Sequence, residues 1–187
     1  MKKLLVLTLC LFGSFACGGT GGTSLAIKAG DKSVTLTGKT SGVDLGNVIS
    51  TSPGQPNLQT SSHSIILANY DLDTTNLGTM RKPLTAPDQV RVIIGITGEA
   101  GTNEKTPFKV GTYAVANDKV NDVRGVTIST FADGKEIKTD LDTMSSSTKL
   151  TGEVKITSVT DDAVSGTIDV TEGSNSVKGN FTAKIKK

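Results

Sequence analysis

The sequence predicts an all-β protein built as an antiparallel β-sandwich, with an up-and-down β-barrel as the alternative. Short stretches that alternate apolar and polar residues recur about every 8 to 12 residues between turn signals. Threonine, a β-branched residue that favours strands, is abundant throughout the chain. No stretch of ten or more residues carries an apolar repeat of helical period. These observations favour sheets over helices along the whole chain.

The N-terminal half of the predicted sheet region starts with a hairpin around Ala29-Gly30-Asp31-Lys32, because Gly and Asp form turns readily. Residues 90–96 give the clearest strand signal, with Val or Ile at every second position. One face of that strand is therefore expected to enter the core. The strands predicted in this half are 25–27, 33–37, 63–70 and 89–97.

The C-terminal half contains the strongest hairpin signal, Asp133-Gly134, which lies between two strand-like runs. A final meander is expected to turn at Asp161-Asp162 and at Gly173-Ser174-Asn175. Apolar and polar residues alternate along these runs, which is typical of antiparallel sheets with one face on the core and the other in solvent. The strands predicted in this half are 109–116, 125–131, 136–141, 152–159, 163–170 and 176–185.

Two stretches interrupt the strand pattern: residues 38–62, which are rich in Gly, Pro, Ser and Thr, and residues 77–88, which carry Pro83 and Pro87. We expect them to be long loops at the ends of the sandwich. Loops of this length in compact domains are often functional. They are therefore the surface expected to contact an envelope or host protein.

The N-terminus has the features of a secretory signal peptide. Lys2 and Lys3 precede a nearly unbroken apolar run over residues 4–12, which continues in small or apolar residues to Ala16. A bilayer crossing needs roughly 20 apolar residues, so this run is too short to span a membrane. Residues 1–16 are therefore expected to be removed.

Ser14-Phe15-Ala16-Cys17 resembles the lipobox of bacterial lipoproteins, in which a small residue precedes an invariant cysteine. Ala16 and Cys17 match, whereas Ser14 replaces the usual Leu-like residue and Phe15 is bulkier than usual. The resemblance implies that Cys17 is the lipid attachment site, carries acyl chains such as palmitate, and becomes the mature N-terminus. Cys10 is the competing candidate, although the large Leu9 precedes it. Ordinary signal cleavage nearby is the alternative.

The expected domain organisation follows from this N-terminus. Residues 1–16 form the signal peptide, residues 17–24 the lipidated cysteine and a Gly/Thr/Ser tether, and residues 25–187 a single β domain. Gly18 is not the Asp that retains lipoproteins at the inner membrane, so the resemblance implies the outer membrane in a two-membrane cell.

Composition excludes several functional classes. The chain carries 20 Lys+Arg and 18 Asp+Glu, so no strongly basic surface for nucleic acid is expected. Two cysteines exclude a disulfide-dense scaffold and a multi-thiolate zinc site.

His63 is the chain's one histidine, and Ser61, Ser62 and Ser64 surround it. A Ser/His/Asp triad would have to use it, but no Gly-x-Ser-x-Gly elbow is present. We expect His63 to be a polar residue at the start of a strand, without a catalytic role.

Three clusters of Asp and Asn offer oxygen ligands of the kind that calcium prefers. Such residues are more often turn formers, because their side chains bond their own backbone. Calcium binding stays open as an alternative, and so does glycoside hydrolysis by a pair of carboxylates. The clusters are Asp71 with Asp73 and Asn76, Asp140 with Asp142, and Asn117 with Asp118, Asn121 and Asp122.

The leading hypothesis is a lipid-anchored envelope protein that acts as a non-enzymatic binding or structural module. Its expected partners are the membrane, through the lipid, and an envelope or host protein, with no cofactor and no nucleic acid. A small-ligand or calcium-binding domain is the alternative, and a carboxylate-pair hydrolase is a third reading.

Overall fold

The computed structural model describes residues 22–51, 53–54, 56–73, 82–116, 120–142 and 149–185. Eleven strands and no helix are found in these ranges. The strands are β1 (Ser24–Ala29), β2 (Lys32–Thr37), β3 (Thr40–Ser50), β4 (Leu58–Ala68), β5 (Val90–Ala100), β6 (Gly111–Ala114), β7 (Val123–Ala132), β8 (Lys135–Asp142), β9 (Thr151–Val159), β10 (Ala163–Glu172) and β11 (Asn175–Lys184).

The strands form two antiparallel sheets, which confirms the predicted β-sandwich. The six-stranded sheet has the order β2-β1-β11-β10-β9-β6, and the five-stranded sheet has the order β3-β4-β5-β7-β8. The alternative, an up-and-down barrel, is wrong, because the sheets stay separate and do not close. The first strand lies between the second and the last, so the two ends of the described chain meet in one sheet.

Side chains from the inner faces of both sheets form a single core. Alternate residues point inward, as the predicted period of two requires, and Val92, Ile94 and Phe181 are at most 1% exposed. Burying one such side chain contributes about 1.5–3 kcal/mol, so the core is the main source of stability. No described helix has the length and apolar character that a bilayer crossing would require.

The predicted Asp133-Gly134 hairpin is confirmed between β7 and β8. Asp133 has a φ of 52° and Gly134 a φ of 76°. Positive φ at both central residues is the signature of a type I′ turn, whose twist matches that of the flanking strands. The local sequence therefore determines this turn.

Residues 38–62 are not the long loop that the sequence predicts. They contain β3 and the start of β4, which pair residue by residue from Thr40 opposite Ala68 to Ser50 opposite Leu58. The two prolines, Pro53 and Pro56, fall in the turn between these strands. Gly46 lies inside β3, where an added Cβ would be 3.0 Å from the Ser62 carbonyl oxygen. This glycine serves close strand packing rather than a turn.

Residues 82–88 of the second predicted loop, together with residue 89, lie without regular structure against the five-stranded sheet. Leu84 is only 3% exposed, and its backbone N–H donates to Glu136 Oε2 at 3.2 Å. Residues 77–81 lie outside the described ranges. Strand β6, at Gly111–Ala114, is shorter than the predicted strand 109–116, and the Lys109 carbonyl oxygen accepts from the Tyr113 hydroxyl at 3.0 Å.

The ordered domain begins before residue 25. Thr23 is 6% exposed, and its hydroxyl donates to the Thr182 carbonyl oxygen and accepts from the Thr182 N–H, both at 3.1 Å. The Asn180 side chain donates to the Gly22 carbonyl oxygen at 2.7 Å. Residues 22–24, expected in the tether, are therefore part of the fold.

Candidate functional site

The segment that joins β5 to β6 covers one end of the sandwich, and we call residues 101–110 the cap segment. Thr102 attaches it to β4, since its hydroxyl oxygen accepts a hydrogen bond from the Ser61 N–H at 2.8 Å. The same hydroxyl donates to the Glu99 carbonyl oxygen at 2.6 Å. Polar contacts thus fix the cap segment on the strand that carries His63.

His63 lies inside β4 and is only 3% exposed, so the expectation of a polar residue at a strand start is wrong. Its Nε2 lies 2.9 Å from the Thr106 carbonyl oxygen, and its ring centroid lies 4.8 Å from that of Phe108. Since a carbonyl can only accept, Nε2 carries the proton and Nδ1 is left as an acceptor. Nδ1 is buried and has no hydrogen-bond partner among the described residues.

Burial lowers the pKa of His63 below its usual value of 6.5, because desolvation disfavours the charged ring. The hydrogen bond to Thr106 and the charge of Asp44 act in the opposite direction, with a smaller effect. His63 is therefore neutral at pH 7. In this form it holds the cap segment through one hydrogen bond and one ring contact.

A small cavity lies under the cap segment, lined by Ser61, His63, Gly98, Thr102, Phe108 and Tyr113, among others. Its volume is about 10 Å³, which is room for one water molecule. The lining is mainly apolar, but it includes the side chains of Ser61, His63 and Thr102, which can hydrogen-bond such a water. An organic ligand would need several hundred Å³, so this cavity is not a ligand pocket.

The serines around His63 are engaged elsewhere. The Ser61 hydroxyl lies 3.2 Å from the Thr102 hydroxyl and is the donor, because the Thr102 proton goes to the Glu99 carbonyl oxygen. The Ser62 hydroxyl accepts from Arg124 Nη1 at 3.4 Å. Within the described ranges, the contacts of His63 include no serine hydroxyl and no carboxylate hydrogen bond. The sequence neighbours are thus not assembled into a nucleophile, base and orienting acid.

A second polar cluster, which the sequence did not reveal, lies on the outer face of the five-stranded sheet. Arg91 is 1% exposed, and its Nη2 donates to Glu136 Oε1 at 2.8 Å. Its Nη1 donates to the Lys82 carbonyl oxygen at 2.6 Å and to the Tyr70 hydroxyl at 3.3 Å. Burial raises the pKa of Tyr70, so its phenol stays protonated at neutral pH. These bonds fasten residues 82–89 to the sheet.

The acidic clusters are dispersed by the fold. Asp71 pairs with Lys39 Nζ at 2.8 Å, and Asp140 accepts from the Thr127 hydroxyl at 2.6 Å. Asp122 is buried and accepts from the Ala116 N–H at 2.9 Å, which is the turn-forming role of Asp. In the described part of the chain, no three His, Cys, Asp or Glu residues come together as a metal site would require. Asp73 and Asp142 follow β4 and end β8, Asn121 precedes β7 with a positive φ, and Asn76, Asn117 and Asp118 lie outside the described residues.

Two shallow depressions, of about 280 and 300 Å³, lie on the outer faces of the two sheets. The first is lined by polar and apolar residues of β1, β2 and β11, such as Lys28 and Val34, and the second by residues of β5, β7 and β8, such as Thr127 and Lys138. Both are open depressions of mixed polarity, which do not enclose a small apolar ligand.

Cys17 and the lipobox-like residues before it lie outside the described residues. Comparison of the chain with protein-family models, with curated proteins and with solved structures gives no significant match.

Proposed function

We propose that the protein is a bacterial envelope lipoprotein, anchored through Cys17, that acts as a non-enzymatic binding or structural module. The supporting observation is the order of features at the N-terminus. Two lysines, a short apolar run and Ser14-Phe15-Ala16-Cys17 are followed within a few residues by the β domain, whose described part starts at Gly22. A lipid at Cys17 would hold the sandwich close to the bilayer surface.

The anchor in this proposal is the lipid and not surface charge. Without Lys2 and Lys3, the chain carries 18 basic and 18 acidic side chains, so attraction to anionic lipids is weak. One acyl chain gives only marginal binding, whereas two or more hold a protein firmly on a membrane. Gly18 after the cysteine favours the outer membrane as the destination.

The binding role in this proposal falls on the protein surface. The core is closely filled, and the cavity beside His63 has room for one water molecule. The end of the sandwich formed by the cap segment and the adjoining half of β3 exposes Leu45 and Ile49, which are 39% and 58% exposed. Neighbouring exposed apolar side chains on one face of an edge strand mark a protein contact surface, so the proposed partner is an envelope protein.

Labelling with a palmitate analogue in the native host, or in a bacterium that processes lipoproteins, tests the anchor. Wild type and Cys10→Ala should incorporate the label and partition into detergent. Cys17→Ala should incorporate none, and it should accumulate as precursor or appear in the aqueous phase. Label on Cys17→Ala, or its loss in Cys10→Ala, would refute Cys17 as the attachment site.

A further inference from the structure

The four edge strands of the sandwich differ in how well they are protected against pairing with another chain. Strand β6 has four residues, β2 has six, and β8 carries a charged residue at most positions. Strand β3 has eleven residues, of which only Asp44 is charged, and no described strand lies beyond it. Short length and charge are the usual means of blocking edge pairing, and β3 has neither.

The N-terminal part of β3 is covered, whereas its C-terminal part is open. The Lys184 N–H donates to the Ser41 hydroxyl at 3.3 Å, and Val43 is in the core with 6% exposure. Further along, Leu45 and Ile49 are 39% and 58% exposed. Residues four apart in a strand lie on the same face, so these two apolar side chains flank Asn47 along one side of the edge.

We propose that residues 44–50 pair with the same residues of a second copy of this chain, antiparallel, around a two-fold axis at Asn47. This pairing joins two five-stranded sheets into one continuous sheet. It places Leu45 of each copy opposite Ile49 of the other, and Asn47 opposite Asn47. Asp44 then lies opposite Ser50, away from the Asp44 of the other copy.

Other two-fold registers fit this strand less well. An axis at Asp44 places the two carboxylates opposite each other, and like charges at opposed positions are destabilising. An axis at Leu45 places Ile49 of one copy opposite Ser41 of the other, whose hydroxyl already accepts a hydrogen bond from the Lys184 N–H. An axis at Gly46 places Leu45 opposite Asn47. Only the axis at Asn47 pairs the exposed apolar side chains with each other and uses the open half of the strand.

A second copy fits this edge better than a charged partner does. The open segment has one charged side chain, Asp44, and the Glu104 carboxylate of the cap segment accepts from Asn47 Nδ2, so a basic or acidic peptide would meet no row of complementary charges along this strand. Its pattern of apolar, Asn and apolar residues on one face is the same when the strand direction is reversed. Such self-complementarity is the requirement of a two-fold interface.

Cysteine cross-linking of the full chain in membranes tests the register. Opposed Cα atoms in an antiparallel pair lie about 4.5–5.5 Å apart, within the range that a disulfide spans. Asn47→Cys in a Cys10→Ser background should therefore give a disulfide-linked dimer under mild oxidation. Leu45→Cys and Ile49→Cys should link poorly alone and well when the two are co-expressed. Ile137→Cys, at 37% exposure on the opposite edge of the sheet, is the matched control.

The proposal would be overturned if Asn47→Cys cross-links no more than Ile137→Cys. It would also be overturned if Leu45→Cys, expressed alone, cross-links as much as Asn47→Cys. Sedimentation equilibrium in density-matched detergent gives an independent measurement. Wild type should have twice the chain mass, and Ile49→Lys should have the mass of one chain, because it places a charge in the pair. Wild type at the mass of one chain would also overturn the proposal.

Discussion

Arg91 and Glu136 form a buried ion pair across an intervening strand: Nη2 lies 2.8 Å from Oε1, although β7 separates β5 from β8. The two side chains are 2% and 8% exposed. Residues 82–89 cover the pair, and the Lys82 carbonyl oxygen accepts a further hydrogen bond from Arg91 Nη1 at 2.6 Å. The pair therefore links three strands and one irregular segment into a single unit.

Arg91→Met should destabilise the protein by about 3–5 kcal/mol, because it leaves the Glu136 carboxylate buried without its partner. Urea denaturation followed by circular dichroism measures the change. Lys178→Ala is the matched control, since Lys178 pairs with Asp169 at the same distance, 2.8 Å, but on an exposed surface. That variant should lose at most about 1 kcal/mol. Equal losses in both variants would show that burial does not matter for this pair.

Stability should decrease as the pH falls from about 7 towards 5, and His63 should cause part of the decrease. Its pKa in the folded protein lies below 6.5, so the unfolded chain binds the proton first. Stability is fully present above pH 6.5 and is lost as the pH falls towards the folded pKa. The free energy of unfolding of His63→Gln, measured across this range, should change less with pH than that of wild type. An unchanged slope in the variant would contradict this assignment.

Thr23→Val should destabilise the protein by about 1–3 kcal/mol, because the hydroxyl bonds both backbone groups of Thr182 and valine cannot replace it. The melting temperature of the variant measures the loss. Thr37→Val, at an exposed position of β2, is the control and should melt like wild type. If both variants melt like wild type, the domain starts after residue 23.

Gly166→Ala should destabilise the protein by about 1–3 kcal/mol through overpacking. The added Cβ would lie 2.2 Å from the Lys155 carbonyl oxygen and 2.9 Å from Phe181 Cζ. Gly95→Ala is the comparison, since its nearest contacts would be at an ordinary 3.6 Å. That variant should stay within about 1 kcal/mol of wild type. Chemical denaturation of the two variants should separate them, and the reverse order would contradict the packing described for β10.

The elements that were predicted correctly share one property: the residues that determine each of them lie within a few positions of one another in the sequence. Val90 to Ile96 alternates without a break, and Asp133-Gly134 supplies the positive φ that its turn needs. Strand β3 was missed because Gly42 and Gly46 interrupt its apolar pattern. Gly46 suits the close approach of the Ser62 carbonyl oxygen in β4. A short stretch of sequence does not show which strand will lie beside it, so the role of this glycine could not be predicted.

The contacts of His63 and Arg91 were beyond prediction for a different reason. The partner of His63, Thr106, lies 43 residues away in sequence, and Glu136 lies 45 residues from Arg91. Nothing local marks either partner, since Thr and Glu occur throughout the chain. Outward-pointing Arg91 fits a solvated position in an alternating strand. Only residues 82–89, which carry no strand pattern, make that position an interior one.

The position of β1 between β2 and β11 has a consequence for the order of folding. Until the last ten residues of sheet are present, Leu25 and Ile27 have no neighbour on one side, and β10 has an open edge as well. Contacts between residues so distant in sequence form late and slowly. A nascent chain should therefore remain without its native six-stranded sheet until β11 has been synthesised, which makes the final strand the step that commits the whole chain to its fold.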